Sequence, residues 1–173
     1  MTVIVGLQSD KHVWMGGDSA SAIGCNLSVY QGPKVFRLGD FLLGVAGTVK
    51  IVQTLQYRFT PPEMTGEYYI ETTFADAIRE CLKAQLDEKG FMPGRVMVGF
   101  QGQLYVVNGD FSVVKSTRPY TAIGDGASVA LGALMVMGDW NEKRRERDQV
   151  MRALEIAEEF IATVRRPFEV RMV

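Results

Sequence analysis

The chain is poor in the residues on which most hydrolytic and metal chemistry depends. Its 173 residues include one histidine, His12, and two cysteines, Cys25 and Cys81. A zinc-protease helix of the His-Glu-x-x-His type needs two histidines and is excluded. A Ser-His-Asp triad would have to take its base from His12, which falls in a polar turn with no supporting pattern. The cysteines have neither metal-ligand nor redox spacing, and free thiols are expected. Cys81 sits in the apolar series Phe74, Ile78, Cys81 and Leu82 and reads as core, whereas Cys25 lies in a glycine-bounded loop with no histidine motif beside it. No stretch approaches the roughly 20 apolar residues that span a bilayer. The N-terminus lacks the basic and apolar regions of a signal peptide, so a cytoplasmic location is expected. Nineteen basic side chains against 20 acidic ones give a net charge of −1. No whole-protein field therefore favours nucleic acid or an anionic membrane. There is no ATP-binding P-loop.

What remains is an ordinary globular composition, 47% hydrophobic and 23% charged. A single domain over residues 1–173 is expected, large enough to bury about 70% of the surface of its unfolded chain. Period-two patterns predict strands over 2–8 and 13–19 around a turn at 9–11, then over 34–38, with the fully apolar run 41–46 reading as a strand buried on both faces. A helical period follows Thr48 and stops at Pro61 and Pro62, and a second helix is predicted over 72–88. Strands are predicted over 95–100, 103–108 and 112–116. Helices follow at 127–137 and along the stripe Val150, Leu154, Ala157, Ile161 and Val164, the second one stopped by Pro167 before a strand at 168–173. This order fits an α+β protein with helices covering both faces of stacked antiparallel sheets.

Three residues at equal spacing carry the chemistry: Thr2, Asp18 and Lys34, each sixteen positions after the last. If Met1 is removed, Thr2 holds a nucleophilic hydroxyl and a free α-amine in one residue, so no histidine is needed. That amine titrates near ~7.7–8.0 unperturbed, and a neighbouring ammonium such as Lys34 lowers it toward the neutral, proton-accepting form. Asp18 would hold Lys34 charged and oriented, because an unpaired ammonium in a partly closed site is costly. Taken singly, Asp18 after two glycines also fits a turn, and Lys34 after Gly32-Pro33 fits ordinary surface.

The segments Thr2 to Gly6, Gly16-Gly-Asp-Ser19, Lys34-Val-Phe, Gly44-Val-Ala-Gly47 and Ile123-Gly-Asp-Gly-Ala127 together resemble the N-terminal-nucleophile hydrolases. The similarity is to proteasome β-subunits and to the bacterial two-ring protease driven by an AAA+ unfoldase. The resemblance implies a four-layer αββα sandwich, attack by Thr2 on an acyl carbon, tuning by Lys34 and support by Asp18. It also implies an oxyanion donor at the backbone N–H of Gly47, although Gly44 and Gly47 would equally serve a tight turn between strand and helix. Two departures from the family matter. Asp125 stands where the family has serine between two glycines, near the threonine amine; the alternative is a turn or helix N-terminal role. The family's aspartate and serine near the end of the long helix align with Glu158 and Ile161, so that serine is absent, and Glu158, or Glu159, would substitute for the aspartate or else belong to a solvated helix face. Ser19 would hydrogen-bond substrate backbone or its own turn. Ala20 and Ala22, with the residues through Ile23, would line a substrate pocket.

The resemblance further implies a peptide or protein substrate, a homo-oligomeric ring, a possible AAA+ partner and no cofactor or metal. The mixed cluster from Glu142 to Asp148 reads as a solvated helix start or a subunit contact. Two other classes remain: a small-molecule amidase with the same N-terminal device, and a non-catalytic assembly subunit that keeps the sandwich without turnover.

Overall fold

The computed structural model describes residues 2–23, 26–29, 31–140 and 145–173. Two antiparallel sheets stack face to face with helices on their outer sides, giving the expected αββα sandwich. The first sheet has the order β10-β1-β2-β11, in which β1 is Val3–Gln8, β2 Val13–Gly17, β10 Tyr120–Gly124 and β11 Glu169–Met172. In the second, β5 (Val35–Leu38), β6 (Phe41–Gly47), β7 (Gly94–Phe100), β8 (Gln103–Val107) and β9 (Val113–Lys115) follow one another in chain order. A separate hairpin joins β3 (Ala20–Ile23) to β4 (Asn26–Val29).

Alternation along the strands sorts the side chains into three cores. In β1, Val3, Val5 and Leu7 pack under α3 (Ala127–Trp140) and α4 (Glu146–Phe160) with Ala130, Leu134, Val150 and Leu154. Ile4 points the other way, into the seam between the sheets, among Met15, Leu42, Met97, Leu104 and Ile123. The third core lies under α1 (Val49–Arg58) and α2 (Ala75–Cys81), where Phe41, Phe59, Tyr69, Phe74 and Phe100 form an aromatic cluster. The apolar run of β6 is buried from Phe41 through Ala46 because it feeds both the seam and this third core.

Glycines let the layers meet. A Cβ on Gly16 would stand 2.7 Å from Val150 Cγ1 and 2.9 Å from Leu154 Cδ1, so β2 lies directly against α4. On the opposite face, a Cβ at Gly17 would stand 2.9 Å from Ile4 Cδ1 and 3.1 Å from Val35 Cγ2. Gly16→Val should therefore overpack the helix layer and lower stability by about 2 to 3 kcal/mol, read as a fall in the urea midpoint. An unchanged midpoint would mean that α4 can move away from the sheet without loss.

Several elements differ from the sequence expectation. The helix predicted over 72–88 begins as a π-type turn at Ile70–Phe74, is regular only over Ala75–Cys81, and ends in a 3₁₀ turn at Lys83–Gln85. Beyond it, Asp87 Oδ1 accepts from the backbone N–H of Lys89 and Phe91, a local alternative to further helical bonds. The long helix stops at Phe160, well before Pro167. Glu158 there accepts from the backbone N–H of Arg166 at 2.9 Å and from its Nε at 2.8 Å, folding the chain back, while Ile161 and Val164 still pack against the α3–α4 core. The β3–β4 hairpin and β10 had no strand expectation. Cys81 is half-buried and free, its thiol pKa raised by burial. Cys25 and residues 142–144 of the charged cluster lie outside the described residues; Arg145, Arg147 and Asp148 are exposed at the start of α4. No helix among the described residues is long and apolar enough to cross a membrane.

Candidate active site

Antiparallel pairing brings six strand ends to one end of the seam. From the first sheet come the residue before β1, Thr2; the residue after β2, Asp18; and the end of β10, where Gly124 pairs with Val3. From the second come Lys34 ahead of β5 and Gly47 at the end of β6, paired with Gly94 at the start of β7. Residues distant in sequence thus converge without any long loop. Gly124 is required at its position: its φ is +94°, and a Cβ would run into the carbonyl of Thr2.

Asp18 is the hub. Its side chain is fully buried, and its carboxylate is held on both oxygens. Oδ1 accepts from Val3 N–H at 3.0 Å and Lys34 Nζ at 3.0 Å, while Oδ2 accepts from Ala20 N–H at 2.9 Å and, more weakly, Arg165 N–H at 3.4 Å. Lys34 Nζ donates to Asp18, to the Ala20 carbonyl at 2.6 Å and to Thr2 Oγ1. Those three acceptors match the three protons of an ammonium. Burial pushes the Lys34 pKa down from its ordinary value, and the Asp18 carboxylate opposes that shift by charge and hydrogen bond, with a smaller contribution from Asp125. Thr2 is itself buried, so its hydroxyl is fixed against Lys34 and faces a cavity.

That cavity, about 640 Å³, is lined on the site side by Thr2, Lys34, Gly47, Gly124 and Asp125. Ala20 and Ser21 from the hairpin, Ala46, and Val49, Lys50 and Val52 from α1 form the remaining wall with Pro93 and Gly94. The structure thus brings together Thr2, Asp18, Lys34, Gly47, Asp125 and Ala20. Ser19 is placed differently: its hydroxyl donates to the Pro167 carbonyl at 2.6 Å, its N–H to the Arg165 carbonyl at 2.9 Å, and it does not line the cavity. The side chain of Ala22 lies outside the described residues. Glu158 does not touch Thr2 or Lys34 in any described hydrogen bond; it pairs with Arg166, which holds its carboxyl pKa below the usual range.

Two contributors were not foreseen. Thr163 donates its hydroxyl to Asp125 Oδ2 at 3.4 Å, so a carboxylate and a hydroxyl do face each other beside Thr2, with the carboxylate on the 124–126 turn and the hydroxyl after the long helix. The only sequence hint was Asp125 itself, since the alignment pointed to Glu158 and Ile161. The second is the first turn of α1, capped by Thr48, whose side chain accepts from Ile51 N–H. Its place on the wall follows from its adjacency to Gly47.

No protein-family model matches the chain, and no curated protein sequence matches it. Solved structures do. The BPH of Thiobacillus denitrificans, in complex with epoxomicin, superposes with a TM-score of 0.84 at 18% identity, covering 99% of this chain and 98% of that one. Eukaryotic HslV from Trypanosoma brucei gives 0.76 at 19% identity over 99% and 98%. A Gly-1 mutant of Anbu from Hyphomicrobium sp. strain MC1 gives 0.69 at 16% identity over 98% and 80%. The chain shares the fold of these HslV-like structures over nearly its full length.

Proposed function

We propose that this chain is a threonine-type amide hydrolase, an endopeptidase whose nucleophile is Thr2 once Met1 has been removed. The observation that carries the reading is the Lys34 Nζ contact to Thr2 Oγ1, made by a side chain already anchored on Asp18 and Ala20. Such a contact lowers the cost of developing negative charge on the hydroxyl oxygen and leaves the proton for another acceptor. The freed α-amine of Thr2 is that acceptor. Thr2 Oγ attacks the acyl carbon as its proton passes to the amine, the backbone N–H of Gly47 stabilises the oxyanion, and the protonated amine then delivers its proton to the departing amine of the substrate. Water, deprotonated by the same amine, releases the acyl group from the Thr2 ester.

Asp125 favours the protonated form of the Thr2 amine and so balances Lys34, with Thr163 fixing its orientation. Glu158 supports the site at one remove: its hold on Arg166 fixes the segment whose Arg165 N–H reaches Asp18 and whose Pro167 carbonyl takes Ser19. The 1–173 chain acts as one domain, in the cytoplasm, within a homo-oligomeric, self-compartmentalised ring. An ATP-dependent unfoldase would present folded substrates.

Intact mass before and after exposure to epoxomicin tests the reading, because the similar BPH was solved with that compound. The expected result is a chain lacking Met1 that gains one inhibitor mass. A chain that keeps Met1 and gains nothing has its base locked in a peptide bond, and would be a non-catalytic assembly subunit.

A further inference from the structure

The charges around the cavity are unevenly committed. Lys34 is spent on Asp18, Ala20 and Thr2, and Asp125 faces Thr163 at the end nearest the nucleophile. Lys50, on the α1 wall, is exposed and makes no hydrogen bond or ion pair among the described residues. The wall around it, Ala20, Ala46, Val49 and Val52, carries no carboxylate, and the first turn of α1 contains no acid. A lysine there is unfavourable for the helix itself, since it adds positive charge to the positive end of the macrodipole. Both sources of potential point into the same space. Ser21 brings a hydroxyl donor to that cavity. A shallower depression shares Ala46, Gly94 and Gly124 with it and is completed by Arg95, a second exposed cation without a described partner.

We propose that Lys50 makes this cavity selective for an acidic side chain, glutamate or aspartate, on the residue that donates its acyl group to Thr2. The inference rests on the reading of Thr2 as nucleophile and names the substrate class of that site. The carboxylate lies in the part of the cavity between Lys50 and Ser21, away from Asp125, and the scissile carbonyl lies at Thr2 and Gly47. Arg95 extends the positive potential along the cleft.

The test uses acetyl-tripeptide aminocoumarin amides that differ only in the last residue: Glu, Gln, Lys or Leu. Glu and Gln have nearly the same shape, so their ratio of kcat/KM isolates charge. That ratio should favour Glu by about five- to tenfold and shrink as salt is raised, as expected for a partly screened pair. Lys50→Gln should bring it near unity, and Lys50→Glu should place the Lys substrate above the Glu substrate. Glutamate suits the first turn of α1 better than lysine does, so the fold should tolerate it. A Glu:Gln ratio near one in the parent chain, or a preference that survives both substitutions, overturns the inference. In either case epoxomicin labelling of Thr2 continues and the proposed function stands. Failure of the parent chain to be labelled removes the proposed function and this inference with it.

Discussion

Thr2→Ala should lower amide hydrolysis by a factor on the order of 10⁴ to 10⁶, the loss seen when a nucleophile that acts as part of a unit is deleted. The variant retains the α-amine, Lys34 and Asp18, so it removes one atom from the mechanism and leaves the electrostatics in place. Its fold should survive. Lys34 loses one of three acceptors, which costs about 1 to 3 kcal/mol if nothing replaces it, and the adjoining cavity can admit water to do so. Thr2→Ser keeps the oxygen and should retain measurable turnover. Turnover by Thr2→Ala at the parent rate, with a normal denaturation midpoint, would assign the activity to another group and end the threonine reading.

Asp18→Asn should show the largest effect on stability. The carboxylate accepts from Val3 N–H, Ala20 N–H and Lys34 Nζ and is reached by Arg165 N–H; an amide turns one of its two positions into a donor facing donors. It also leaves the Lys34 charge buried without its partner, and breaking a buried pair in this way costs about 3 to 5 kcal/mol. Urea denaturation reads the loss. The double variant Asp18→Asn, Lys34→Met should be less destabilised than the two single losses added together, because the stranded charge has gone. Strict additivity would mean that the two side chains do not act as a pair.

Much of the candidate site was legible because its residue types sit next to strand ends. A threonine, an aspartate after two glycines and a lysine ahead of an apolar run can be found in sequence, and the β1–β2 hairpin is a local event that period-two patterning reports well. Contributions through backbone groups were not legible. Ala20 takes part through its carbonyl and N–H, and Arg165 through its N–H, so neither side chain announces its role. The helix over 72–88 was misread for a related reason. Phe74, Ile78, Leu82 and Leu86 do face one core, but the Asx-type bonds at Asp87 and the 3₁₀ turn bring Leu86 there without a continuous helix. Glu158 invited a direct role by its place on the long helix. Its carboxylate instead meets Arg166, eight residues on, a reversal that no helical period encodes.

The three acceptors gathered by Lys34 come from the chain start, the end of β2 and the start of β3, while the lysine itself leads into the opposite sheet. The Lys34 contact to Thr2 spans 32 residues and requires the two sheets to have closed on each other. On the proposed mechanism, a nascent or partly unfolded chain would carry the threonine but not the contact that activates it. On that mechanism, completion of the fold would act as a safety catch, protecting neighbouring chains during synthesis in addition to any control exerted through removal of Met1.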